Sequence, residues 1–283
     1  MDANTAALIK ERAAIRDRIS QIHADSNRTF LVHYACELFD GAAGTPVRIT
    51  GIAVRNLKSG QTMSWTVFGE AQRKKRTETL VQDLDLLERS LLQAFSRHVR
   101  KFDDCTFIHW NMRDTKFGFT HLHRRASALG VKLYSLQDSC KFDLSNAIYK
   151  LFGDKHAQPI ASDGTKGRIF SIAELNGISR LEAISGEEEG KAFVRGEHSK
   201  IESSTLRKLG IFSDIFDKLH RGNFKHEAPW RDTWALSLSA GIYSLRTHWA
   251  VALFIFLGAF AGAAYKWWDT IERVSRRLIP NVI

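Results

Sequence analysis

Several groups of residues carry side chains able to do chemistry. The run Gln72-Arg73-Lys74-Lys75-Arg76 gathers cations in one polar segment, the pattern that neutralises nucleic-acid phosphates. Gly164-Thr165-Lys166-Gly167-Arg168 is a basic glycine turn whose backbone can approach a phosphate, and it serves equally as a plain turn. His109, Asn111 and Asp114 stand close together in Phe107-Ile108-His109-Trp110-Asn111-Met112-Arg113-Asp114. Glu37 closes an apolar run from Thr29, and His198 and Glu202 stand at the start of a helical pattern. Each has a plain structural reading too. Glu37 suits a strand edge, Asp114 suits the cap of a following helix, and His198 with Glu202 suits a solvated helix start.

Other chemistries find no support. His121 and His123 are two apart and face away from each other on a helix, so with His109 they make no zinc pattern. No phosphate-binding loop, dinucleotide glycine motif or serine-hydrolase elbow occurs in the chain. The 3 cysteines, Cys36, Cys105 and Cys140, form no CxxC pair and read as reduced thiols of a reducing compartment. A net charge of +10 over 283 residues, with a pI near 9.6, points to polyanionic partners, either nucleic acid or anionic lipid. The N-terminal segment is charged throughout and lacks the apolar core of a secretory signal.

The elements that must position these residues follow from hydrophobic periodicity. Residues 1–27 hold an amphipathic helix over 4–24, with Leu8, Ile15, Ile19 and Ile22 on its apolar stripe. Strands at 29–37, 47–54 and 61–68 make an antiparallel meander. A helix over 77–101 carries Leu80, Leu84, Leu87, Leu91, Leu92, Phe95 and Val99 on one face. A strand at 105–110, a helix at 114–128, a strand at 131–136 and a helix at 142–152 follow. A polar loop spans 153–168, and helices at 170–194 and 200–220 complete the domain. The expected fold is α/β, a mixed sheet in the order βββαβαβ flanked by helices, over residues 28–220.

Residues 221–232 read as a linker, and 233–283 as a membrane-anchoring segment. Trp249 to Tyr265 runs about 17 residues without a charge, at the short end of a bilayer span. Lys266, Trp267 and Trp268 extend it, giving a single transmembrane helix over about 249–268 with tryptophan at both ends. Gly258 and Gly262 form a GxxxG pair, a candidate surface for homo-oligomerisation through the span. The free thiols and basic charge place the main domain in the cytoplasm, although short-loop counting around the span also draws the C-terminus there.

The order of elements and the segment from Phe107 to Asp114 resemble the RNase H-like 3′–5′ exonucleases of the DEDD group. That family places a His-Asn pair at a strand end and a carboxylate five residues after the His. Here Trp110 separates His109 from Asn111, and Asp114 keeps the distance. The resemblance implies two divalent metals, Mg²⁺ or Mn²⁺, about 4 Å apart on clustered carboxylates. Glu37 and Asp114 would be metal ligands, His198 a general base, and Glu202 the last acid. Ala35 stands where the family's leading Asp belongs, and Glu202 stands for an Asp. The implied function is a membrane-anchored, metal-dependent nuclease acting on nucleic acid in defence or repair. Two alternatives compete with it. One is a catalytically degenerate sensor that binds nucleic acid or a partner and signals through its membrane helix; the other is a membrane-disrupting or scaffold protein.

Overall fold

The computed structural model describes residues 3–37, 46–112, 117–229 and 266–268. Asp114, Gly258, Gly262 and most of the expected membrane span lie outside them. Helix α1 runs Ala3–Ala24, and strands β1 (Thr29–Cys36), β2 (Ile49–Asn56) and β3 (Thr62–Thr66) form the meander. Next come α2 (Val67–Arg73), α3 (Leu84–Lys101), β4 (Thr106–His109), α4 (Phe119–Ala128) and β5 (Lys141–Asp143). Helices α5 (Leu144–Phe152), α6 (Arg168–Leu175), α7 (Gly186–Val194) and α8 (His198–His220) follow.

The fold is α/β, with a mixed five-stranded sheet in the order β3-β2-β1-β4-β5. β1 pairs with β2 and β2 with β3 antiparallel, whereas β1–β4 and β4–β5 are parallel. β1 lies at the centre and is buried at every position, as a run apolar on both faces and interrupted by His33 requires. Its even residues, Phe30, Val32, Tyr34 and Cys36, pack with α3 and α4 around Leu87, Leu91, Leu122 and Ala126. Leu31 enters the opposite core, with Ile19 and Ile22 of α1, Ile148 of α5, Phe170 of α6 and Phe212 of α8.

Several boundaries differ from the periodicity. α3 starts at Leu84, because Asp83 is held by Arg76 at 3.0 Å and by the Thr79 hydroxyl at 2.5 Å in the turn before it. Residues 131–136 bury Val131 and Leu136 but join no ladder. The Tyr134 N–H donates to the Ser96 hydroxyl on α3 at 2.8 Å instead, and the fifth strand forms at Lys141–Asp143 against β4. The helix expected over 170–194 divides into α6 and α7 at Asn176. That side chain donates to the carbonyls of Ile172 and Lys225, both at 2.9 Å, and accepts from the Lys225 N–H at 2.8 Å. The same contacts fasten the start of the expected linker to the domain. Phe224 and His226 stack on Phe152, and the Glu227 N–H reaches the His156 carbonyl at 2.9 Å. Lys10–Pro229 forms one compact unit.

The face bearing α3 and α4 is locked by a buried ion pair. Glu88 on α3 is fully buried, and Arg125 on α4 donates to it through Nε at 2.9 Å and Nη2 at 2.6 Å. The Ile49 N–H adds a bond at 2.8 Å from β2. Removing one partner of such a pair strands a charge in an apolar medium. Arg125→Met should therefore cost about 3–5 kcal/mol in urea unfolding. Adding Glu88→Gln should return part of the loss, because no uncompensated charge then remains.

Candidate functional site

Parallel strands β1 and β4 open their C-terminal ends on the same edge of the sheet, where ligands of α/β proteins usually bind. Glu37 lies there, one residue past β1. A register shift between Ala35 and Cys36 makes Thr50 the extra residue of β2 and sets Glu37 beside Arg48, whose carbonyl accepts the Glu37 N–H at 3.0 Å. The Glu37 carboxylate accepts from Arg48 Nη1 at 2.6 Å. Arg48 Nη2 continues to Asp85 at 2.9 Å, and Asp85 bonds Arg125 at 2.9 Å. Glu37 is thus the outer end of the chain of charges that terminates on buried Glu88. The guanidiniums of Arg48 and Arg125 hold the Asp85 carboxyl below its usual range.

The other expected residues occupy separate places. His198 begins α8 and stacks on Phe68 of α2 at 4.9 Å, and burial lowers its pKa. Glu202 accepts a hydrogen bond from Ser64 of β3 at 2.8 Å. The cationic run is exposed. Arg73 pairs with Glu70 and Arg76 with Asp83, whereas no ion pair forms at Lys74 or Lys75 among the described residues. Lys75 also takes a left-handed backbone, φ 58°. His109 turns into the core on the α3–α4 side, where its Nδ1 accepts the Met112 N–H at 3.2 Å. The Asn111 N–H is held by Asp143 at 3.2 Å, and the same carboxylate caps α5 through the Asn146 N–H.

Among the described residues, no three His, Cys, Asp or Glu side chains come together in a way that could hold a metal ion. One Glu37 carboxylate oxygen is already held by Arg48 Nη1 at 2.6 Å. What opens at the strand ends is a cavity of about 700 Å³ lined by His33, Trp110, Phe117, Lys166, Phe170, Ser185, Glu189, Lys208 and Phe212. Sequence reasoning missed most of these residues. The signal was a polar residue inside an apolar pattern: His33 within Thr29–Cys36, and Lys208 on the inner face of α8.

His33 sits on the α8 side of β1, edge-on to Phe212 at 5.5 Å. It is 7% exposed, and neither ring nitrogen has a hydrogen-bond partner among the described residues. An orphaned buried group of this kind costs about 1–3 kcal/mol. Lys208, also buried, donates to Glu189 of α7 at 2.6 Å, and Ser204 donates to the same carboxylate oxygen at 2.6 Å. Trp110 stacks on Phe212 at 5.8 Å, and Phe117 on Tyr34 at 4.3 Å. No protein-family model, curated protein or solved structure matches the chain.

Burial, and then the charge of Lys208, push the His33 pKa well below the ordinary histidine value. The unfolded chain takes up a proton below about pH 6.5 while folded His33 stays neutral. Stability present above that pH is therefore lost as pH falls, with a slope of up to about 1.4 kcal/mol per pH unit from this one group. His33→Phe should flatten the fall of unfolding free energy between about pH 6.5 and pH 5. An equal slope in both proteins would contradict the assignment.

Proposed function

We propose that this chain is an RNase H-like, membrane-anchored nucleic-acid-binding protein whose strand-end site binds rather than cleaves. One observation carries the reading: the first strand lies beside and parallel to the strand bearing His109, as the family resemblance requires, yet the opening between their ends is lined by His33, Lys208 and aromatic rings. Ala35, at the place of the family's leading acid, packs against Ala192, Phe193 and Ile201. Glu37 is committed to Arg48.

Phosphate affinity is assigned to the exposed cations at the end of α2, and lipid contact to the segment that includes exposed Trp267 and Trp268. Among the described residues no helix is long and apolar enough to cross a membrane. The span over 249–268 and a dimer through Gly258 and Gly262 remain part of the proposal, as does a cytoplasmic main domain. The nuclease alternative, with Mg²⁺ or Mn²⁺ on Glu37 and Asp114, requires Glu37 to leave Arg48.

The salt dependence of oligonucleotide binding tests the interface. Lys74 and Lys75 have no carboxylate to exchange, so Lys74→Ala/Lys75→Ala should flatten the slope of log K against log salt by about 1.4 for a single strand. Arg73→Ala/Arg76→Ala should change it less, because each arginine already holds a carboxylate. A slope unchanged by the lysine pair would remove these residues from the interface.

A further inference from the structure

We infer that the cavity at the ends of β1 and β4 is a metal-independent site for a small planar anion, an aromatic ring carrying a phosphate or a carboxylate. The inference rests on the cavity itself and not on the nucleic-acid reading. Three independent features of the wall point to such a ligand. His33 is buried, lines the cavity and leaves both ring nitrogens without a partner among the described residues. A neutral imidazole has one donor and one acceptor to offer. Beside it Lys208 donates to Glu189 at 2.6 Å, a bond that uses one of its three N–H donors. Helix ends supply the second feature. Gly167, the residue before α6, and Ser185 with Gly186 at the start of α7 all line the same space. The partial positive charge of two helix N-termini therefore faces one cavity.

Gly167 adopts φ 121°, and a Cβ there would meet the Phe170 ring at 3.2 Å, so the close approach of this turn depends on glycine. The third feature is aromatic. The Trp110–Phe212 stack and the rings of Phe117 and Phe170 offer faces on which a planar group can lie. At the rim Glu187 is answered by Lys166 at 3.3 Å and by Lys191 at 3.0 Å, and at the buried end Glu189 is answered by Lys208 at 2.6 Å, beside His33. About 700 Å³ accommodates a ligand of nucleotide size. An anion at the buried end would take the spare Lys208 donors, and one His33 N–H once the wall shifts to expose it, satisfying groups that the folded chain leaves unpaired.

The full chain in EDTA, titrated with 5′-AMP, an aromatic carboxylate such as salicylate, adenosine and inorganic phosphate, tests this by melting temperature and calorimetry. The expected result is a saturable rise in melting temperature with AMP or salicylate, and at least tenfold weaker binding of adenosine and of phosphate alone. AMP without salicylate would identify a nucleotide, and salicylate without AMP a carboxylate ligand. His33→Phe and the charge-neutral pair Lys208→Met/Glu189→Gln should each weaken binding at least tenfold. If either fails to fold, Trp110→Ala, on a partly exposed wall, should show the same loss. No shift with any compound, a need for Mn²⁺, or undiminished binding by the variants that fold would overturn the inference. None of these outcomes depends on the salt slope of oligonucleotide binding, so the two readings fail separately.

Discussion

A carboxylate with no solvent exposure persists in a protein only when cations and N–H donors replace its water. Glu88 meets that condition by drawing on three groups at once: Arg125 from α4, the Ile49 N–H from β2, and Arg48, just before β2, whose Nε lies 3.6 Å away. Burial raises the Glu88 carboxyl pKa, and Arg125 with Ile49 opposes the rise. The demand propagates outwards. Arg48 must lie over α3, which fixes the irregular register at the start of β2, and its remaining donor nitrogens take up Asp85 and Glu37. The fate of the acid at the end of the central strand is therefore set from the opposite helical layer.

That constraint separates the two sides of the sheet. On the α3–α4 side Glu37, Asp85 and Glu88 each meet an arginine within hydrogen-bond distance, and the site is structural. On the α7–α8 side the polar groups are equally buried but not fully answered, since Lys208 and Ser204 share Glu189 while His33 bonds to nothing described. A network with open positions is costly in a core, and a wall of a cavity is where such a cost has a use. The contrast between carboxylates each met by an arginine and a histidine with neither ring nitrogen answered distinguishes the candidate ligand site from the packing that supports it.

Much of the architecture was legible because the patterns are strong. The largely apolar β1, the meander and the leucine stripe of α3 left little choice of element or face. The strand expected over 131–136 failed because apolar content there reports burial under α3, while the ladder belongs to the short, polar Lys141–Asp143. The long helix over 170–194 failed because one asparagine, Asn176, bonds a segment 49 residues ahead, and no local pattern encodes that. For the site, acids drew attention by type. What decides Glu37 is Arg48, which its own sequence neighbourhood does not reveal, and what opens the cavity is a histidine and a lysine separated by most of the chain.

The central claim is that the strand-end site acts without a divalent metal and that Glu37 serves the Arg48 network. The most direct measurement is the affinity of the full chain for a labelled single-stranded oligonucleotide, taken in EDTA and in Mn²⁺, for wild type and Glu37→Gln. The account predicts the same Kd in both buffers, no shortening of the oligonucleotide in Mn²⁺, and a Glu37→Gln protein that binds like wild type although it melts earlier. Mn²⁺-dependent shortening of the strand that disappears in Glu37→Gln would contradict it and return Glu37 to a metal centre.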